Sequence, residues 1–126
     1  MYSVKIRDHI MIAHSLFHPG FGKASQLHGA TYVIDVQFSS EYLNEMNVVI
    51  DIALAADILK EIVEKLNYKN LDEVEDLKGQ ITTTEFMARY IHDQIARHPR
   101  LSFNGMLKVT LGESHIAWAS YEHTLD

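Results

Sequence analysis

Cysteine is missing from this 126-residue chain, and with it go disulfides, thiolate metal ligands and any cysteine nucleophile. Long apolar runs are missing too: none approaches the roughly 20 residues needed to cross a bilayer. The N terminus, where strand-like alternation begins at Tyr2, carries no signal-peptide pattern. The expected compartment is therefore the cytoplasm, with no membrane association. Lysine and arginine do not cluster, and the formal charge is −6. A phosphate backbone needs a basic footprint, so no nucleic-acid partner is expected.

What is present is the composition of an ordinary globular chain, 47% hydrophobic and 22% charged. The length predicts a single domain over residues 1–126, small enough that oligomerisation would be a natural way to cover exposed sheet edges. From Met1 to Ser15, Val4, Ile6, Asp8, Ile10, Ile12 and His14 alternate with Lys5, Arg7, His9 and Met11, which predicts a strand with one mostly apolar face. A second strand runs to about Ser39, with His28, Ala30, Tyr32, Ile34, Val36 and Phe38 on one face. Between them, Phe17 to Lys23 holds two glycines and a proline and reads as an irregular loop. If the strands pair antiparallel, the end of the first meets the start of the second, and His14 and His28 come together on a covered surface. That is a metal-site geometry.

Ser40 to Asn47 reads as a wide turn. Ile52, Ala55, Ala56, Leu59, Ile62, Val63 and Leu66 recur at helical spacing, with Asp51 as N-cap. Asn67 to Gln80 is acidic and irregular. A second helix starts at Thr82-Thr83-Thr84-Glu85, where Thr82 and Glu85 have the spacing of a capping box. It buries Met87, Tyr90, Ile91 and Ile95 and stops at His98-Pro99. Leu107, Val109 and Leu111, then Ile116, Trp118 and Tyr121, read as two short strands or one strand bulged near Gly112. The order β-β-α-α-β-β predicts an α+β fold, a four-stranded antiparallel sheet with two helices on one face.

Ala13-His14, followed by His28-Gly29-x-x-Tyr32, resembles the zinc signature of the 6-pyruvoyltetrahydropterin and 6-carboxytetrahydropterin synthase family, in which one strand closes on His and the next opens with His-Gly-His. Val49-Ile50-Asp51-Ile52, Thr83-Thr84-Glu85 and Glu113-Ser114 resemble later landmarks of the same family, in the same order. The resemblance implies the tunnelling fold, a zinc cofactor, and a homotrimer or homohexamer with its pterin pocket at a subunit interface. It also implies that Glu113 accepts hydrogen bonds from the amino and ring N–H groups of a pterin, with Thr83 and Thr84 beside it. Two parallel acceptors facing two donors would orient the ring and reject rings lacking them.

The pattern departs from the family where the chemistry sits. The third zinc ligand falls on Ala30, so His14 and His28 need another donor; His115 ranks first and His18 second. His9 lies on the opposite face, roughly 17 Å along the strand. The family's catalytic Cys has no counterpart in the Phe21 to Ser25 loop, which offers Lys23 and Ser25 instead. Its Leu-Asp-His aligns with Leu66-Asn67-Tyr68. Lys23 and Tyr68 are the candidate catalytic residues that remain, although an unperturbed phenol ionises near ~10. The expected function is a metal-dependent lyase acting on a dihydroneopterin-type substrate with altered catalytic residues. The alternative is a non-catalytic pterin-binding oligomer.

Overall fold

A computed structural model describes residues 1–126. Its elements follow the expected order: β1 (Tyr2–His14), β2 (His28–Ser40), α1 (Ile52–Leu66), α2 (Thr84–Ala96), β3 (Gly105–Ser114) and β4 (Ala117–Leu125). All four strands form one antiparallel sheet in the order β1-β2-β3-β4. The alternation in β1 and β2 sets the register. Ile10 pairs with Tyr32 and Ile12 with Ala30, which lines the apolar residues of both strands along one face.

Both helices pack on that face, α1 against β1 and α2 against β3 and β4. Between sheet and helices, Ile10, Tyr32, Ile34, Phe38, Leu59, Met87, Ile91 and Leu111 belong to one cluster of 22 buried apolar side chains. Burying a large apolar side chain fully is worth roughly 1.5–3 kcal/mol, so this face supplies the main driving force for the fold. Gly105 makes the tight entry into β3 possible. Its φ is +152°, and a Cβ there would stand 2.3 Å from the Ser39 carbonyl oxygen.

The structure corrects several local expectations. In α1 the buried stripe is Ala55, Ile58, Leu59, Ile62, Val63 and Leu66, while Ile52 is exposed. Asp51 caps the helix as expected, accepting from the Ala53 and Leu54 amides. The cap of α2 is Thr83, not Thr82: the Thr83 hydroxyl accepts from the Phe86 amide at 3.1 Å. His92 takes the buried place assigned to Tyr90, which is half-buried. The Phe17–Lys23 loop contains 3-10 turns from Pro19 to Ser25, kinked at Gly22, and short 3-10 turns at Leu71–Glu73 and Glu75–Leu77 break up the acidic stretch. At the C terminus there are two strands and also a bulge. His115 and Ile116 make the turn, and the register slips between Gly112 and Ser114.

After α1, residues 67–70 clamp onto the outer edge of β1. Asn67 accepts from the Met11 amide through Oδ1 at 2.9 Å, the Tyr68 amide donates to the Met11 carbonyl at 2.7 Å, and the Ala13 amide donates to the Lys69 carbonyl at 3.0 Å. The rest of that edge, and the outer edge of β4, have no strand partner within the protomer. No helix is long and apolar enough to cross a membrane.

Candidate functional site

His14 and His28 are direct cross-strand partners, the last residue of β1 facing the first of β2. Their rings meet edge to face, with centroids 4.6 Å apart. His14 is buried and its Nδ1 lies 3.0 Å from the Thr82 hydroxyl. His28 is half-buried and its Nδ1 lies 2.8 Å from the Gln26 carbonyl. A carbonyl only accepts, so Nδ1 of His28 carries the proton and its Nε2 keeps a free lone pair. Burial, reinforced by the charge that His28 can carry, lowers the His14 pKa against the opposing pull of Thr82, Asp72 and Glu113. His14 is accordingly neutral near pH 7.

Beside this pair lies a cavity of about 360 Å³ walled by His14, Tyr32, Thr83, Thr84, Glu85 and Glu113, and closed toward the 19–25 segment by Phe21 and Ala24. Each wall has a local origin. The β3 bulge leaves Glu113 unpaired, and bulges commonly re-aim a side chain at the rim of a sheet. Thr83 and Thr84 stand at the first turn of α2, placed there by the Thr83 cap. Tyr32 comes from the apolar face of β2 and is fully buried, with Thr84 acting on its hydroxyl but no hydrogen bond completed. Burial raises the Tyr32 pKa, helped by the charges of Glu113 and Glu85. Its phenol is therefore protonated and a donor.

Glu113, Thr83, Thr84 and His14 thus come together from separate parts of the sequence, with His28 against His14. The other candidates do not line this cavity. His115 is exposed on the turn after the bulge and shares a separate hollow with Glu113, Arg7, Thr31 and Trp118, away from His14. His18 lies outside the cavity wall; its Nδ1 accepts from the Gly20 amide and its ring packs against Phe21. Lys23 is exposed in the 19–25 segment, outside the wall. Tyr68 is 80% exposed, holds a left-handed φ of 62°, and faces a separate hollow with Lys65, Lys69 and Glu73.

Thr82, Tyr32 and Glu85 were not picked out as site residues from the sequence. Tyr32 left a signal, a polar tip on an otherwise apolar strand face two residues beyond Ala30. Glu85 follows directly on Thr84. Thr82 left none, because its partnership with His14 spans most of the chain.

A family model described as 6-pyruvoyl tetrahydropterin synthase matches residues 3–124. A 6-pyruvoyl tetrahydrobiopterin synthase of Dictyostelium discoideum is 36% identical over 77 residues, 60% of this chain. That match spans 57% of the relative's own length. Among solved structures, Caenorhabditis elegans 6-pyruvoyl tetrahydropterin synthase superposes with a TM-score of 0.82 at 24% identity, covering 97% of this chain and 95% of that one. The Plasmodium vivax 6-pyruvoyl tetrahydropterin synthase superposes with a TM-score of 0.76 at 18% identity, covering 99% and 100%. At these identities the two structures establish a shared fold.

Proposed function

Because this chain belongs to the 6-pyruvoyl tetrahydropterin synthase family, we propose that its cavity receives the base of a reduced pterin and that the protein acts as a lyase on a dihydroneopterin-type substrate. One observation carries this reading: Glu113 and His14 wall a single cavity. Glu113 supplies two acceptors to the amino and ring N–H groups of the base, and the Thr83 and Thr84 hydroxyls add adaptable partners. His14, neutral and on the cavity wall, is the group able to exchange a proton with what is bound there.

The zinc that the family implies meets an incomplete donor set. A catalytic zinc takes three protein ligands and keeps one open position. His14 and His28 offer two imidazoles, but the third strand position is Ala30, and no group of three His, Cys, Asp or Glu side chains is arranged to hold a metal. The residues present do not fit the three-ligand site, and the role proposed for His14 runs through no metal.

We assign Tyr68 and Lys23 only conditional roles. Tyr68 faces away from its own cavity, so it acts on this chemistry from a second copy or not at all. Lys23 needs the 19–25 segment to shift inward. The unpaired edges of β1 and β4 support an assembly of three or six copies, each contributing residues 1–126 as one tunnelling-fold domain. A second reading, pterin binding without turnover, would follow if the lack of cysteine, and Asn67 and Tyr68 where the family resemblance places its catalytic pair, leave the chemistry without a base. Incubating the protein with 7,8-dihydroneopterin and its triphosphate, and resolving the products by chromatography, separates the two. Product formation that is lost in His14→Ala supports the lyase; binding with unchanged substrate supports the binder.

A further inference from the structure

Backbone hydrogen-bonding groups alternate in direction along a strand, and the clamp on β1 fixes their phase in this sheet. The Met11 amide and carbonyl and the Ala13 amide bond to residues 67–70, so the odd residues of β1 point these groups outward and the even ones bond to β2. Ile12 stands opposite Ala30, Val33 opposite Gly112 and Leu111 opposite Ala119. Carried across the sheet, the alternation leaves Trp118, Ser120, Glu122 and Thr124 as the outward residues of β4. On β1, the outward residues that the clamp leaves free are Ser3, Lys5, Arg7 and His9.

Only one antiparallel register joins all of these, with Trp118 opposite His9 and Thr124 opposite Ser3. A slip of two residues one way sets Trp118 against Met11, whose amide and carbonyl are taken; the other way leaves His9 without a partner on β4. The side chains agree with this register. The outward residues of both strands lie on the helix-free face, and those between them, Val4, Ile6, Asp8 and Ile10 against His123, Tyr121, Ala119 and Ala117, lie on the helix side. Lys5 meets Glu122, both exposed in the protomer. Asp8 interrupts the apolar face of β1 with a carboxylate, and the register sets it beside Tyr121, over whose ring the Arg89 guanidinium sits at 5.0 Å. An inward-pointing charge on an edge strand repels most strands. Here it admits the one that brings a cation.

We infer that copies of this chain join head to tail, β4 of one on β1 of the next, with Ala117 opposite Ile10 and Leu125 opposite Tyr2, locked by Lys5 on Glu122 and by Asp8 on Arg89. This rests on the proposed assembly and fixes its register. The clamp of one copy then ends against the 115–116 turn of the other, which brings Tyr68 next to the turn that follows Glu113.

Engineered disulfides read the register directly, because the chain has no cysteine of its own. Val4 and His123 fall opposite each other as a non-hydrogen-bonded pair, where Cα atoms approach to about 4.5 Å. They lie on opposite edges of one protomer's sheet, so a bond between them joins only different copies. The test is oxidation of the assembled Val4→Cys/His123→Cys protein, beside the slipped pairs Val4→Cys/Tyr121→Cys and Val4→Cys/Leu125→Cys, followed by non-reducing gels. The first pair carries most of the chain into linked multimers. The slipped pairs link severalfold less, since diagonal Cα atoms stand about 7–8 Å apart, beyond the reach of a disulfide. Preferred linkage through a slipped pair overturns the register. No linkage by any pair, in protein that sediments as an assembly, overturns the inference and leaves the assembly standing; a parent that sediments as a monomer removes both. Glu122→Lys weakens association severalfold and adding Lys5→Glu recovers it. Unchanged association in Glu122→Lys, or no recovery in the double variant, overturns that lock.

Discussion

His14 and His28 face each other across the β1–β2 ladder, paired in register with ring centroids 4.6 Å apart. Gln26 fixes the tautomer of His28 and Thr82 anchors His14. This is the arrangement by which ligating histidines are usually oriented, yet the next inward-facing residue of β2 is Ala30. Protein purified without added metal should therefore hold well under one equivalent of zinc per protomer. Ala30→His should raise that toward one, and adding His14→Ala should remove the gain. Elemental analysis checks this. A full equivalent in the parent, lost in both His14→Ala and His28→Ala, would mean that the pair finds a third donor elsewhere.

Thr82 is buried and its hydroxyl is the partner of His14 Nδ1. Thr82→Val keeps the shape but strands that nitrogen, which should cost about 1–3 kcal/mol in urea unfolding. Thr82→Ser should recover most of the loss, since it restores the oxygen. Equal stability of the valine variant would show that the hydroxyl contributes nothing.

On the opposite face of the sheet, Arg7 and Asp35 are cross-strand partners joined by two hydrogen bonds. The hydrogen bonding and charge of Arg7 hold the Asp35 carboxyl below its usual range. A carboxyl depressed by folding stabilises the native state above its unfolded pKa, about 3.9, and that contribution is lost as pH falls through the folded value. Asp35→Asn and Arg7→Ala should both unfold at lower urea than the parent at pH 7, and the difference should close at pH values below about 4. A difference that stays constant with pH would place the effect in packing.

The edges of β1 and β4 predict association. Sedimentation should give a mass of three or six times the 14.4 kDa protomer. A well-behaved monomer at micromolar concentration would remove the interface on which any role for Tyr68 depends.

Much of the architecture was legible because period-two alternation in residues 2–14 and 28–40 leaves one workable register, and that register alone brings His14 to His28. The bulge at Gly112 was marked by glycine and by the break in alternation. What local pattern could not resolve was a choice among equivalents. Three consecutive threonines offer three possible caps, and Thr83 takes the role because Thr82 turns inward to His14. The phase of α1 was read with Ile52 inside, whereas packing on β1 selects Ile58. At the site, Glu113 was reachable from its motif and bulge. The placement of His115, Tyr68 and Lys23 was not, because sequence proximity to a ligand says nothing about which face of the sheet a side chain occupies.

The central claim is that Glu113 reads the base of a pterin in the cavity shared with His14. Calorimetric titration of neopterin into the parent and into Glu113→Gln tests it most directly, because the amide keeps the volume and loses one acceptor and the charge. Hydrogen bonds to a charged group are worth about 1.5–3 kcal/mol, so affinity should fall roughly 10- to 100-fold with the melting temperature little changed. Equal affinity in the two proteins, or no binding by the parent, would contradict the account.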